Sequence, residues 1–266
     1  MMTKVEGIIL SKTPYKDRHL VCRVLLRSGE KISAIFYGGQ GGGNKKKSSF
    51  LELGHLVKVE LTRAKPGVSI FSVKEWSPSW HHKSIRENHK AFYLLCAFLE
   101  ISDKLVVDAD LHEGHYQDLV DKDSMFKVLS NAIFYLEKNT LERDQFSADL
   151  FHFVSKTLIE QGVFPERNNC VLSGVSLHEL SQLTLIDEHG GFADTTCLNQ
   201  DMRDGRFSAE EGKIMWNFLC QVALKKYSEL QETKEIPLSY SNRLLDYLCF
   251  QVQMSRNDFK TLSLLF

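Results

Sequence analysis

Apolar positions in this chain follow two rhythms. Up to about residue 76 they fall in short runs, mostly alternating with polar residues; beyond it they recur every third or fourth position over longer stretches. The first rhythm covers five runs: Val5–Leu10, Leu20–Arg27, Lys31–Tyr37, His55–Arg63 and Val68–Lys74. Turn chemistry separates them, as in Ser28-Gly29, Gly38-Gly39 and Lys65-Pro66-Gly67. Period-two spacing, β-branched residues and Gly/Pro punctuation predict β-strands. Five short strands at hairpin spacing suit a closed barrel better than an open sheet, because closure removes edges that so small a sheet could not protect.

The rhythm changes at Trp76-Ser77-Pro78-Ser79-Trp80, which reads as a boundary or short linker. Helices are predicted from about 82 to 104, from 123 to 137 and from Ser147, an N-cap, to Gly162, a C′ residue. Ser208-Ala209-Glu210-Glu211 has the pattern of a capping box, opening a run through Ile214, Trp216 and Leu219. After Pro237 a buried helix through Leu244 and Leu248 is expected to continue from Val252 to Phe266. The expectation is an α+β chain, with a five-stranded barrel at 1–78 and a helical domain at 79–266.

Charge adds a second contrast. Residues 1–76 hold fourteen basic and six acidic residues, a net +8; the remainder holds nineteen basic and twenty-eight acidic, a net −9. The near-neutral total of −1 hides this asymmetry. A basic barrel joined to an acidic remainder implies a polyanionic partner for the barrel. Between the third and fourth runs lies Gly38-Gly39-Gln40-Gly41-Gly42-Gly43-Asn44, followed by Lys45, Lys46 and Lys47. It reads either as a solvated flexible loop or as a cationic arm for phosphates. It is not a phosphate-binding P-loop, since Asn44 stands where that motif requires its lysine.

On the second strand, alternation puts Arg23 and Arg27 on one face with Val21 and Leu25, away from Cys22, Val24 and Leu26. Arg63 and Lys65 flank the last hairpin, and Arg18 and Lys31 complete the candidate cations. Phe36 and Phe71 sit in alternating runs and read as core; Tyr15 and Tyr37, at strand ends, read equally as packing or as base-stacking residues. With so few aromatics, electrostatic affinity without base specificity is the expected mode.

No catalytic constellation stands out. His112-Glu113-Gly114-His115 lacks the spacing that puts two zinc-binding histidines one turn apart. Six scattered cysteines read as reduced residues, mostly core, and imply no disulfide framework. No secretory leader is apparent before the first strand, and the longest apolar run, Ala91–Leu99, is too short to span a bilayer. A cytoplasmic, non-enzymatic binding protein is the expectation.

The segments Glu6-Gly7-Ile8-Ile9-Leu10-Ser11-Lys12, Tyr15-Lys16-Asp17-Arg18-His19-Leu20, Ser28-Gly29-Glu30-Lys31-Ile32-Ser33-Ala34 and Tyr37-Gly38-Gly39 resemble the start of bacterial RecO proteins. A second match runs from Phe146-Ser147-Ala148-Asp149-Leu150 to Gly162-Val163-Phe164-Pro165-Glu166-Arg167-Asn168-Asn169-Cys170. The resemblance implies an OB-fold barrel followed by a helical domain, and a DNA-binding recombination mediator at the nucleoid with no cofactor. Its implied partners are single- and double-stranded DNA, RecR and the C-terminal tail of single-stranded-DNA-binding protein (SSB), with RecF and RecA as indirect partners. Many RecO proteins also carry two Cys-x-x-Cys pairs that hold zinc. The corresponding positions here, in an insertion at about 166–200, are Cys170, Ser173, Asp194 and Cys197, so the expectation is a degenerate zinc-finger-like hairpin without metal. A protein-interaction scaffold without DNA binding and an RNA-binding OB protein remain alternatives. Arg243 and Lys225 are candidates for docking the acidic SSB tail.

Overall fold

A computed structural model describes residues 3–40, 51–62, 70–109, 125–199, 208–232 and 235–265. The N-terminal strands β1 (Thr3–Tyr15), β2 (His19–Leu26), β3 (Lys31–Phe36), β4 (Leu56–Thr62) and β5 (Ile70–Trp80) close into a barrel of order β1-β2-β3-β5-β4. Every pairing is antiparallel except β3 with β5, where Ser33–Phe36 run parallel to Ile70–Val73 and shut the barrel. This is an OB-like barrel. Alternate residues point inward: Cys22, Val24, Ile32, Phe36, Val57 and Val59 are all buried in its core. Phe36 and Phe71 are core residues, as their alternation implies. Gly7 marks a close approach, because a Cβ there would lie 2.5 Å from Val24 Cγ1 and 2.7 Å from the Leu25 carbonyl oxygen.

Two strands run further than their sequence pattern. β1 continues through Lys12-Thr13-Pro14 to Tyr15 after a bulge at Ile9/Ser11. β5 continues through Ser77-Pro78-Ser79 to Trp80, so the expected linker is strand. The reason is local. Beyond Val73, β5 pairs only with β4, and Pro78 lies beside a register shift. A residue without an N–H is tolerated where one side of the strand needs no donor.

The helical region follows as α1 (Ser84–Glu87), α2 (His89–Leu105), α3 (Met125–Thr140), α4 (Ser147–Glu160), α5 (Ala209–Leu224) and α6 (Leu238–Gln251). Between α4 and α5 lies a two-stranded hairpin of β6 (Leu183–Ile186) and β7 (Gly191–Asp194). The single helix expected over 82–104 is split at Asn88, whose side chain accepts from the Lys90 and Ala91 amides and caps α2. The Ser208/Glu211 capping box is formed, and Gly162 ends the α4 stretch at φ 71°. Gly212 lets α5 close on β6, since a Cβ would meet the Leu183 carbonyl oxygen at 1.8 Å. The last segment does not prolong α6: after Gln251 the chain forms short 3-10 turns at Arg256–Asp258 and Lys260–Leu264.

The chain divides into two compact units. One comprises Met1–Phe146 with Phe259–Phe266, the other Ser147–Asp258. The division does not coincide with the change from strand to helix. In the first unit α2 and α3 pack beside β1, and the C-terminal segment returns to α2. There the Glu100 carboxylate accepts from the Lys260 amide at 3.0 Å and the Thr261 amide at 2.8 Å, and the Lys104 ammonium lies over the Phe259 ring. Among the described residues no helix is long and apolar enough to cross a membrane.

A half-buried carboxylate and a buried imidazole hold the junction after β5. Glu137 of α3 accepts from the amides of Lys83, Ser84 and Ile85 at 2.8, 2.8 and 2.9 Å, which satisfies the first turn of α1. Burial pushes this carboxyl up, but those amides outweigh it and hold the acid below its ordinary value. Glu137→Ala should lower stability by about 2 kcal/mol, read as a lower urea midpoint, because a charged acceptor of several amides is lost. His82 is buried beside His55, and one of its ring nitrogens lies 2.8 Å from the Leu53 carbonyl oxygen. Burial lowers its pKa, with Arg86 and His81 adding to the effect; the Leu53 carbonyl and Glu137 oppose it. The unfolded chain therefore takes up this proton first. Stability should decline as pH falls through about 6.5 towards the depressed folded value. Thermal midpoints measured from about pH 7 to 5 should show this slope in the native protein and a weaker one in His82→Gln.

Candidate nucleic-acid interface

Strand register arranges the outward face of β1, β2 and β3 in rows. Tyr15 stands opposite His19, and the His19 ring meets Tyr37, just past β3, edge-on at 5.0 Å. The next row is Thr13, Val21 and Ile35; the one after is Ser11, Arg23 and Ser33. Lys31 lies further along β3. The result is an aromatic rim, a floor of small and β-branched side chains, and a cationic far end.

The rim is exposed. Tyr37 keeps 55% of its surface and Tyr15 40%, whereas the inward aromatics Phe36 and Phe71 keep 0% and 5%. The Lys16 ammonium lies 5.3 Å from the centre of the Tyr15 ring, in a turn where Lys16 itself has φ 52°. His19 Nδ1 accepts from the Gly38 amide at 3.1 Å, which fixes the ring as a neighbour of Tyr37. Gln40 ties the start of the glycine-rich segment to the β1–β2 turn: its side-chain amide donates to the His19 carbonyl at 2.7 Å and its backbone amide to the Arg18 carbonyl at 3.3 Å. Exposed aromatic faces beside cations form a platform on which unpaired bases stack while phosphates are neutralised.

The predicted cations meet different fates. Arg18 is exposed in the β1–β2 turn, at the rim. Arg23 pairs with Asp103 at 2.9 Å and Asp108 at 3.6 Å. Arg27 lies past the end of β2, pairs with Glu6 and sits over the Phe126 ring at 5.1 Å. Lys31 is buried at 5% exposure; its ammonium donates to the Asp103 carbonyl and faces that residue's carboxylate at 3.7 Å. Burial lowers the Lys31 pKa and nearby Arg23 adds to this, while Asp103 and Asp108 oppose it. Lys45, Lys46, Lys47, Arg63 and Lys65 lie outside the described residues. The strand-face cations are thus drawn into contacts with acids of β1, α2 and the segment after α2, and do not form an open patch. Between Arg23 and Arg27, Leu25 is fully buried, and Arg27 lies past the end of β2 at Leu26.

Elsewhere on the barrel a groove of about 470 Å³ crosses β1, β4 and β5 above Val59 and Trp76. Lys4 and Lys58 on its walls are matched by Glu60 and Glu75, so its charge is mixed and it forms no polyanion track. In the second unit Arg243 is buried, donating to the Leu185 carbonyl at 2.6 Å and pairing with Asp187 at 2.7 Å. It locks the β6–β7 hairpin to α6, with only 5% of its surface exposed. Lys225 is half-buried at the end of α5, its carbonyl accepting from the Lys156 ammonium at 2.8 Å.

The four positions implied for zinc do not make a metal site. Cys170 is buried, and its sulfur accepts from the Ser173 and Asp194 amides at 3.4 and 3.3 Å. Burial pushes this thiol up, yet the Ser173 hydroxyl and the Asp194, Ser173 and Leu172 amides hold it below its ordinary value. The Asp194 carboxylate accepts from the Thr196 amide at 2.9 Å, and Cys197 is exposed. Two thiols, a hydroxyl and one carboxylate are a poor donor set for tetrahedral zinc. Among the described residues no group of three or more His, Cys, Asp or Glu side chains is placed to hold a metal ion. No protein-family model matches the chain, and no curated protein does.

Lys16, His19 and Gln40 were not singled out by sequence. The alternation of the first run stops at Leu10, so nothing in Ser11–Tyr15 signals that the strand goes on. Extending β1 to Tyr15 puts that residue opposite His19 across a three-residue turn and brings both beside Tyr37.

Proposed function

We propose that the chain is a nucleic-acid-binding recombination mediator of the RecO kind, engaging single strands on the outward face of β1, β2 and β3. One observation carries the reading: the exposed Tyr15–His19–Tyr37 rim with Lys16 and Arg18 beside it, on the face of an OB-like barrel. Single-stranded DNA is the primary ligand, double-stranded DNA a second one held through phosphates alone. RecR and the SSB tail are docking partners, RecF and RecA act downstream, and the place of action is the nucleoid in the cytoplasm. No step needs a nucleophile or cofactor.

The β6–β7 hairpin fits the same reading as a metal-free counterpart of a zinc hairpin. The amides that would hydrogen-bond a ligating thiolate now hold Cys170, and Ser173 and Asp194 occupy two of the four donor positions. Metal analysis of the purified protein should find no stoichiometric zinc; one equivalent per chain would contradict this.

A scaffold without DNA binding is the rival that one observation favours, namely the pairing of Arg23, Arg27 and Lys31 with acids. Fluorescence anisotropy on oligo-dT separates the two. Tyr15→Ala and Tyr37→Ala should each cost about 1–3 kcal/mol of binding. Arg18→Gln and a triple Lys45/Lys46/Lys47→Ala variant should flatten the dependence on salt. Absence of binding by the native protein would support the scaffold, and a preference for oligo-U over oligo-dT would point to RNA. The mediator role predicts faster annealing of complementary strands coated with SSB.

A further inference from the structure

We infer that Asp103 and Asp108 act as built-in counter-anions that set nucleic-acid affinity by occupying Arg23 at the far end of the β1–β2–β3 face. The inference rests on the reading of that face as a polyanion track.

Arg23 is four residues from His19 on β2, on the same outward side, which places it about 13 Å from the aromatic rim. Between them lie Thr13, Val21 and Ile35, and Ser11 and Ser33 flank Arg23 in its own row; none of these is charged. A backbone that stacks its bases on Tyr15 and Tyr37 and follows this floor reaches Arg23 within a few nucleotides. At that point the guanidinium already holds two carboxylates, Asp103 at 2.9 Å and Asp108 at 3.6 Å. They stand where phosphates would stand.

The acids are held there by architecture. The segment after α2 docks on β3: the Lys31 amide donates to the Val107 carbonyl at 3.2 Å and the Ala109 amide to the Lys31 carbonyl at 2.8 Å. That pair of backbone bonds fixes Asp108 beside Arg23. Asp103 is pinned from the other side by the buried Lys31 ammonium. The two pairs differ in strength. Lys31–Asp103 is largely shielded from water and holds. Arg23–Asp108 is open, with the Asp108 side chain 71% exposed; such pairs contribute about 0–1 kcal/mol and can exchange for a phosphate. When they exchange, Arg23 releases a tethered carboxylate and not a salt ion, so its phosphate contact adds little to the salt dependence of binding.

The test is oligo-dT binding by Asp108→Asn across a salt titration, with thermal melting to verify folding; the Asp108 backbone bonds do not depend on its carboxylate. Asp108→Asn should bind about 3- to 10-fold tighter than the native protein, with a salt slope steeper by roughly 0.7, the value for one phosphate contact on a single strand. Arg23→Gln in the Asp108→Asn background should remove the gain. A gain in Asp108→Asn where the native protein binds below detection would also support the inference. Native binding that needs Tyr15 and Tyr37 but is unchanged by Asp108→Asn would overturn the counter-anion role and leave the rim reading intact. A gain that survives Arg23→Gln would overturn it too, as a mere effect of net charge. If neither protein binds oligo-dT, both the inference and the reading beneath it fall.

Discussion

Closure of the five-stranded sheet is the constraint on which the rest of the first unit depends. The parallel pairing of Ser33–Phe36 with Ile70–Val73 joins the two halves of the strand order and leaves no unpaired edge there. Once the barrel is shut, every strand has one inward side, filled by Val24, Ile32, Phe36 and Val59, and one outward side. The outward side of β1, β2 and β3 then divides by what covers it. Near the ends of β1 and β3 no described residue covers it, and Tyr15 and Tyr37 are exposed. At the other end α2, α3 and the segment after α2 press on it; Leu25 and Lys31 are buried there, and Arg27, still exposed, is held by Glu6.

That division explains why net charge is a poor guide to the interface. The N-terminal residues carry a large positive excess, yet Glu6, Asp103 and Asp108 are delivered to three of the cations by the fold. The more open of these pairs, those of Arg23 with Asp108 and Arg27 with Glu6, contribute little to stability. A guanidinium facing a carboxylate also presents far less field to an approaching polyanion than a free one. What remains on the open part of the face is aromatic area with the exposed Lys16 and Arg18 beside it.

The second unit follows a different logic. Its hairpin is held by polar anchoring: Arg243 on the Leu185 carbonyl and Asp187, Gln251 on the Asp187 carbonyl, and the Trp216 indole on the Arg167 carbonyl. Burial pushes the Asp187 carboxyl up, although Arg243 opposes this, so the pair carries a desolvation cost that its hydrogen bonds must offset. Protein contacts fix the conformation of this hairpin, and Cys170, Ser173 and Asp194 are hydrogen-bonded within the chain while Cys197 is exposed.

Local patterning determined much of this protein. Alternation in most of the runs, with turn punctuation, named the five barrel strands and put Phe36 and Phe71 inside; a capping box named the start of α5, and glycine the stop at Gly162. These are short-range matters, decided by side-chain period and backbone hydrogen bonding. Tertiary structure decided what no local pattern could carry: that β5 runs on through Pro78 because one side of it needs no donor, that α6 stops and the C-terminal segment returns to Glu100 of α2, and that Arg23 meets acids some eighty residues away. A side chain's alternation says which way it points, but its partner depends on which element the fold lays across it, and only the packed chain settles that.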